Sequence, residues 1–341
     1  MGEARRYLLS PFVALLLALL IAVPFIFSAA GAPFYVNMIF LSLMYGIAAL
    51  AWNLMQGYTG MFSLGHAVFF GLGAYTVMVL LVRYGVTPWL GIWVGGAVAS
   101  LAALVIGFPL LRLRSHWFTL ATIAVGEVFK LAFAHWEFVG AARGLQAPIV
   151  EPSRAAYYAQ FPSPLVYVYV ALGVLAVELA LLYRVVNSRL GYYFQAIRED
   201  ELAAKMLGVD TFRYRMLSLL ISSFFTGLAG ALYAVRFRYV DPFAVFDLIT
   251  VSTYIAIAGI VGGIYSFVGP LVGAFVFVPA AEYVRAAVVS AFPRVYGLHV
   301  VVVGVILLAI SLLAPEGIMG VLSRRGLLER VVGGEGAAPR G

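Results

Sequence analysis

The 341-residue chain is 64 % hydrophobic and only 11 % charged, with a mean hydropathy of +1.01 and a net charge of +7. A soluble globule of this size has to clothe its surface in polar groups, so a soluble fold is excluded. The absence of cysteine removes disulfides, thiolate chemistry and cysteine-ligated metals, and the dispersed basic residues form no nucleic-acid recognition helix.

The first apolar run, "LLSPFVALLLALLIAVPFIFS", follows Arg5 and Arg6. At about 21 residues it spans a hydrocarbon core of ~30 Å and exceeds the 7 to 15 residues usual for a signal-peptide core, so a retained helix is expected. Further runs of spanning length lie near 34–55, 62–82, 88–110, 117–135, 165–183, 216–235, 247–265, 269–289 and 297–314. The expected fold is therefore all-α: a polytopic helical membrane protein of about ten transmembrane helices, with residues 1–341 as a single transmembrane domain. Glycines at "QGYTG" (56–60) and "VGGIYSFVGP" (261–270) mark either short turns or broken and re-entrant segments.

With ten spans, fourteen basic residues fall on the side of the N-terminus and seven on the other, with Lys130 inside a span. The positive-inside rule then places both termini of this multi-pass protein in the cytoplasm. Residues 136–164 become the long extracytoplasmic loop, and residues 190–215 a cytoplasmic segment.

That cytoplasmic segment is unusual. "YFQAIREDELAAKMLGVDTFRYR", Tyr193 to Arg215, carries eight charged side chains in 23 residues. Arg198 to Leu207 reads as one short amphipathic helix stopped by Gly208, with Arg198, Glu201 and Lys205 on a charged, exposed arc. In that arc Glu201 pairs with either base. Leu202, Ala203, Met206 and Leu207 cover the other side, interrupted by Glu199 and Asp200. An inner loop needs only a few arginines for topology. Alternating acids and bases suit a protein partner better than an anionic bilayer, although a purely topological loop is the plainer alternative.

Within the spans, Glu127 and Lys130 lie three residues apart on one helical face, as a pair that either holds helices together or lines a passage. "WNLMQGYTGMFSLGHAVFFGLGAY" and "IAGIVGGIYSFVGPLVGAF" share the echo "GMFSLG" and "GIYSFVG". Gly57, Gly60, Ser63, Gly65 and His66 in the first, and Gly259, Gly262, Gly263, Ser266 and Gly269 in the second, are candidates for passage lining or helix breaks; close packing without ligand contact explains them equally well. Glu178 and Glu282 are isolated acids in apolar sequence. No HExxH or GxxxxGK[ST] motif occurs, so no metal site or nucleotide-binding loop is expected in this chain.

In order along the chain, "WNLMQGYTGMFSLGHAVFFGLGAYT", "LRLRSHWFTLATIAVGEVFK", "AIREDELAAKMLGVDTFRYR", "GLAGALYA", "IAGIVGGIYSFVGPLVGA" and "LLAPEGIMG" resemble the permease subunits of branched-chain amino-acid ABC importers, specifically the longer of their two related permeases. The resemblance implies that residues 1–341 are a single transmembrane permease domain in a prokaryotic cell (inner) membrane, a subunit that is not itself an enzyme and binds no cofactor. ATP and Mg would be held on two cytoplasmic ATPase partners, a second homologous permease would stand beside this one, and a solute-binding protein outside would deliver Leu, Ile or Val. It further implies that ATPase contact maps onto Ala196 to Gly208, hence Arg198, Glu199, Asp200, Glu201, Ala203, Ala204 and Lys205 with Gly208, and onto Asp210 beside it. Ala203, Ala204 and Gly208 match the loop motif of ABC importers, and Leu202 stands where the common form has glutamate. Related permeases carry urea or other amides. The rival from another class is a secondary transporter of a small polar solute driven by an ion gradient.

Overall fold

A computed structural model describes residues 11–113, 115–291, 301, 304–305 and 317–324. Helix α1 (Pro11–Ala29) is followed by α2 (Pro33–Thr59), α3 (His66–Tyr84), α4 (Pro88–Leu110), α5 (Ser115–His135) and α6 (Leu165–Val186). Two short helices, α7 (Arg189–Glu199) and α8 (Glu201–Met206), lead into the long α9 (Thr211–Phe237). One turn of helix, α10 (Pro242–Val245), a π-helical stretch (Leu248–Thr253) and α11 (Tyr254–Gly262) together make one span, followed by α12 (Gly269–Ala291) and α13 (Gly317–Arg324). Proline in the first turn of α2, α4 and α10 presets φ where no intrahelical donor is lost. Gly60 and Gly85, both left-handed, cap α2 and α3.

Eight helices among the described residues are long and apolar enough to cross a membrane, so the expectation of ten is corrected to about eight. The difference lies at the two ends of the chain. At the N-terminal end the side chains of α1 are described only from Leu20, and most of the tenth expected run, 297–314, lies outside the described residues. The all-α, polytopic reading holds.

Helix α9 is the centre of the bundle, packed on α2, α3 and α4. It meets α3 and α4 through Gly73, Gly95, Gly96 and Gly227, whose missing side chains let the backbones approach. On the far side of α2, α11 and α12 form a second packed group with it.

Hydrogen bonds sort the connections into two ends. At one end the 136–164 loop is tied down on all sides. Arg83 donates to the carbonyl of Phe138, Thr87 and Trp89 to those of Tyr157 and Ala156, and Arg238 to that of Phe161. The two-residue strands β1 (Leu145–Gln146) and β2 (Tyr239–Val240) pair antiparallel, Leu145 opposite Val240. The loop is thus an ordered cap over α3, α4 and α9. The opposite end gathers the α2–α3 connection, the α7–α8 segment and the 263–268 turn.

Glu178 is fully buried on α6, in the stripe Tyr167, Val168, Ala171, Val174, Leu175 and Leu182. Neither of its carboxylate oxygens has a hydrogen-bond partner among the described residues. An unsatisfied buried polar group is destabilising, and replacing it with an apolar side chain of similar size removes that cost. Glu178→Leu is therefore expected to stabilise the purified chain by about 1–3 kcal/mol, read as a higher midpoint of thermal aggregation in detergent. A lowered midpoint would mean that Glu178 serves a partner or a step of function.

Candidate functional site

The charged segment is two helices and not one. Ser188 caps α7, its Oγ accepting from the Leu190 N–H at 3.2 Å. At Asp200 the backbone turns extended (φ −156°, ψ 110°), and its carboxylate accepts from the N–H groups of Leu202 and Ala203 at 2.8 and 3.0 Å. Aspartate in this role competes with helix continuation, which is why the expected single helix Arg198–Leu207 breaks there. The predicted stop at Gly208 is present. Its φ of +84° is the left-handed conformation that glycine alone adopts freely, and Asp210 then caps α9 by accepting from the Arg213 N–H at 3.0 Å.

The faces of α8 differ from the expectation in part: Lys205 stays on the exposed side, but Glu201 does not, and large apolar side chains are exposed beside Lys205. Glu201 turns inward, its carboxylate 2.7 Å from Lys205 Nζ and 3.0 Å from Arg215, and it accepts from the Thr211 hydroxyl at 3.2 Å. Partial burial pushes its pKa up, but the Lys205 hydrogen bond, the charges of Arg215 and Lys205, and Thr211 outweigh this and hold the carboxyl below its ordinary range. A depressed folded-state pKa stabilises the segment above the unfolded value and loses that contribution as pH falls through the lowered one. Arg198 does not pair with Glu201; it binds the neighbouring Glu199. The exposed side carries Lys205 together with three apolar side chains: Leu202, Met206 and Leu207 are 70, 89 and 84 % exposed, while Ala204 is buried beneath them. Leu202 and Met206 on the helix and Leu207 just past its end make an exposed apolar patch.

Arg198 connects this segment to the bundle. It donates to the carbonyl of Gly57 on α2 at 2.8 Å, and its guanidinium lies over the ring of Tyr265 in the 263–268 turn, 5.2 Å from the centroid. Its side chain also lies against Gly60. One side chain therefore touches the end of α2, the turn between α11 and α12, and the point where α7 breaks.

The two glycine-rich stretches meet at that point by close packing. A Cβ on Gly57 would sit 2.1 Å from the carbonyl oxygen of Ile264, so no side chain fits. Asn53 donates to the Ser266 carbonyl at 3.1 Å, Gly259 lies against the Trp52 ring, and Gly262 and Gly269 face each other across the turn that Gly263 begins. The α2–α3 connection is buried yet non-helical, and side chains satisfy its backbone. Trp52 donates to the Ser63 carbonyl at 2.8 Å, Thr119 to that of Phe62 at 2.7 Å, and Thr122 accepts from the Leu64 N–H at 3.2 Å. Irregular backbone at depth is tolerated only where protein supplies such partners. Gly65 packs against Thr122, and a narrow crevice between α3, α4, α5 and α9 opens beside Ser63 and Gly65, walled by Val68, Phe69, Leu110 and Phe118.

His66 starts α3 and is fully buried. Its Nε2 is 2.8 Å from the Ser222 hydroxyl on α9, and the next residue, Ala67, donates its N–H to the Ser252 hydroxyl in the π-helical stretch at 2.8 Å. Glu127 and Lys130 form a 2.6 Å ion pair on α5. Neither His66 nor this pair joins the Arg198 cluster. Trp52, Asn53, Tyr265, Ser222 and Ser252 were not singled out by sequence; the only signal was a polar or aromatic residue inside an apolar run.

The comparisons agree with this architecture. The family described as branched-chain amino acid transport system / permease component matches residues 34–311. The chain belongs to that family. It is 30 % identical over 295 residues to the high-affinity branched-chain amino acid transport system permease protein LivM of Escherichia coli (strain K12), covering 80 % of this chain and 68 % of that one. A probable branched-chain amino acid transport permease protein LivH of Methanocaldococcus jannaschii is 26 % identical over 265 residues, covering 73 % of this chain and 80 % of its own. No solved structure matches the chain significantly. As a family member the chain is a multi-pass transport permease, and the chemistry expected of it is passage and coupling.

Proposed function

We propose that this permease passes a branched-chain amino acid, Leu, Ile or Val, handed over by an extracytoplasmic binding protein, and that it works beside a second permease and two cytoplasmic ATPases holding ATP and Mg. The observation that carries the reading is α8, with Leu202, Met206 and Leu207 exposed on one side and Ala204 and Glu201 anchored to the bundle on the other. A rigidly mounted apolar helix end matches what a groove on a partner recognises. The coupling segment 190–215 then lies in the cytoplasm, and the ordered 136–164 cap is the surface offered to the binding protein.

The reading is tested by reconstituting the chain with its second permease, ATPases and binding protein in vesicles, where ATP-dependent leucine uptake is expected. Leucine accumulation by this chain alone under an ion gradient would refute the ATPase-driven scheme. Uptake of urea without leucine would replace the substrate.

Orientation has its own test. The cysteine-free chain gives no background, so Ser153→Cys is expected to react with an impermeant thiol reagent from outside intact cells. Arg213→Cys, in the exposed first turn of α9, should react only after the inner face is opened. The reverse pattern would invert the topology.

A further inference from the structure

The Glu127–Lys130 pair has features that helix packing alone does not explain. It sits close to the middle of the span His116–His135, which is among the least buried of the eight. Lys130 is about 8 Å of helix from the end of α5, near enough for its long stem to reach the interface. Instead its ammonium reaches back toward the membrane centre and holds Glu127 at 2.6 Å. Lys130 is 17 % exposed and Glu127 is 44 % exposed. The acid therefore shows nearly half of itself at the side of the bundle, at a depth where hydrocarbon would leave a charge unsolvated. Such a group needs water or a protein surface in front of it.

On the Glu127 side of α5, Leu120 and Leu131 are 58 and 53 % exposed, so the acid stands within an open apolar strip. Phe129 and Phe133 pack into the bundle beside Phe246, and Val128, 63 % exposed, points outward. Ile123 lies one helical turn below Glu127 on the same side of α5 and is half-buried.

Resting on the proposed branched-chain amino-acid reading, we infer that Glu127 and Lys130 form a way-station for the substrate's α-ammonium and α-carboxylate. The two groups carry the charges that a zwitterionic α-amino acid requires, in the order carboxylate for ammonium and ammonium for carboxylate. With no substrate present they neutralise each other, which keeps the site tolerable at mid-membrane. An arriving zwitterion exchanges one internal ion pair for two pairs with itself, so charge is conserved at each stage and no proton need move. The apolar side chain of the substrate is left to the hydrophobic walls of the passage. The site selects for the α-amino-acid backbone and not for the side chain, so a 2-oxo acid or a fatty acid of the same shape is refused for want of the ammonium.

Cysteine access in the assembled, reconstituted transporter tests the position without touching the pair. Ile123→Cys is expected to react with a charged, water-soluble methanethiosulfonate, and saturating leucine with binding protein should slow the reaction at least fivefold. Val128→Cys should stay unmodified. Absence of reaction at position 123, or reaction that leucine does not slow, overturns the inference. Charge exchange tests the chemistry. Glu127→Lys with Lys130→Glu retains an ion pair, so assembly and ATPase binding should persist while the substrate's polarity is reversed, and the KM for uptake should rise at least tenfold. Wild-type uptake in this double variant would show that the pair only joins helices. If the exchanged variant does not assemble, Glu127→Gln with Lys130→Gln carries the same criterion with a neutral pair. Failure of the wild-type assembly to take up leucine at all would instead remove the underlying substrate reading.

Discussion

Replacing Met206 and Leu207 together by aspartate is expected to strip the ATPases from the permease while leaving the permease in the membrane. Both side chains are more than four-fifths exposed and neither supports the internal fold of α8, which rests on Ala204 and on Glu201 with Arg215 and Thr211. Burying an apolar side chain of this size against a partner contributes about 1.5–3 kcal/mol. Two such losses, with two carboxylates left to be desolvated in the groove, should lower the affinity at least about 100-fold. The measurement is co-purification of the ATPases with membrane-normalised permease, together with ATP-driven uptake; both should be lost. Retention of the ATPases would show that α8 is not the docking element. Glu201→Arg should give the same loss by a different route, since it sets a third positive charge against Lys205 and Arg215 and releases α8 from the bundle.

The sequence was most legible where one physical requirement acted alone. Nine of the ten apolar runs coincide with described helices or parts of them, because burial in hydrocarbon dictates run length, and Gly208 was readable as a stop because a left-handed turn favours glycine. Asp200 was harder. Between Glu199 and Glu201 it counts as one more charge, and only the local geometry shows its carboxylate capping a new helix. The exposed side of α8 is legible only in part, because Glu201 finds its partners Thr211 and Arg215 on α9, beyond the turn that follows α8. Glu201 turns inward to pair, while Lys205 stays exposed beside Leu202, Met206 and Leu207. The meeting of Gly57 with Ile264, and of Arg198 with both Gly57 and Tyr265, joins residues far apart in the chain. Neither periodicity nor composition carries that information.

Removing the Arg198 guanidinium is expected to separate ATP hydrolysis from transport. Arg198 lies at the last turn of α7, just before the break at Asp200 that leads into α8, and besides Glu199 it touches the end of α2 and the 263–268 turn. Arg198 thus joins the start of α8 to both glycine-rich breaks, alongside the packing of α7 on α2, and the absence of space at Gly57 means that the α2 end and the Ile264 turn must move together. A hydrogen bond from a charged donor contributes about 1.5–3 kcal/mol, nearer the lower figure here because the side chain is 28 % exposed. Losing it should weaken the link between the two ends of the lever by roughly tenfold or more. In Arg198→Gln the exposed face of α8 is intact, so ATPase association should stay within twofold of wild type and hydrolysis should continue. Leucine taken up per ATP should fall at least about tenfold. Arg198→Lys should lie between the two, because an ammonium can still donate to the Gly57 carbonyl but cannot stack its charge as a plane on Tyr265. Tyr265→Leu should reproduce only the part due to the ring. If Arg198→Gln instead loses the ATPases, Arg198 belongs to the docking surface; if its coupling ratio is unchanged, the linkage runs through another part of the segment.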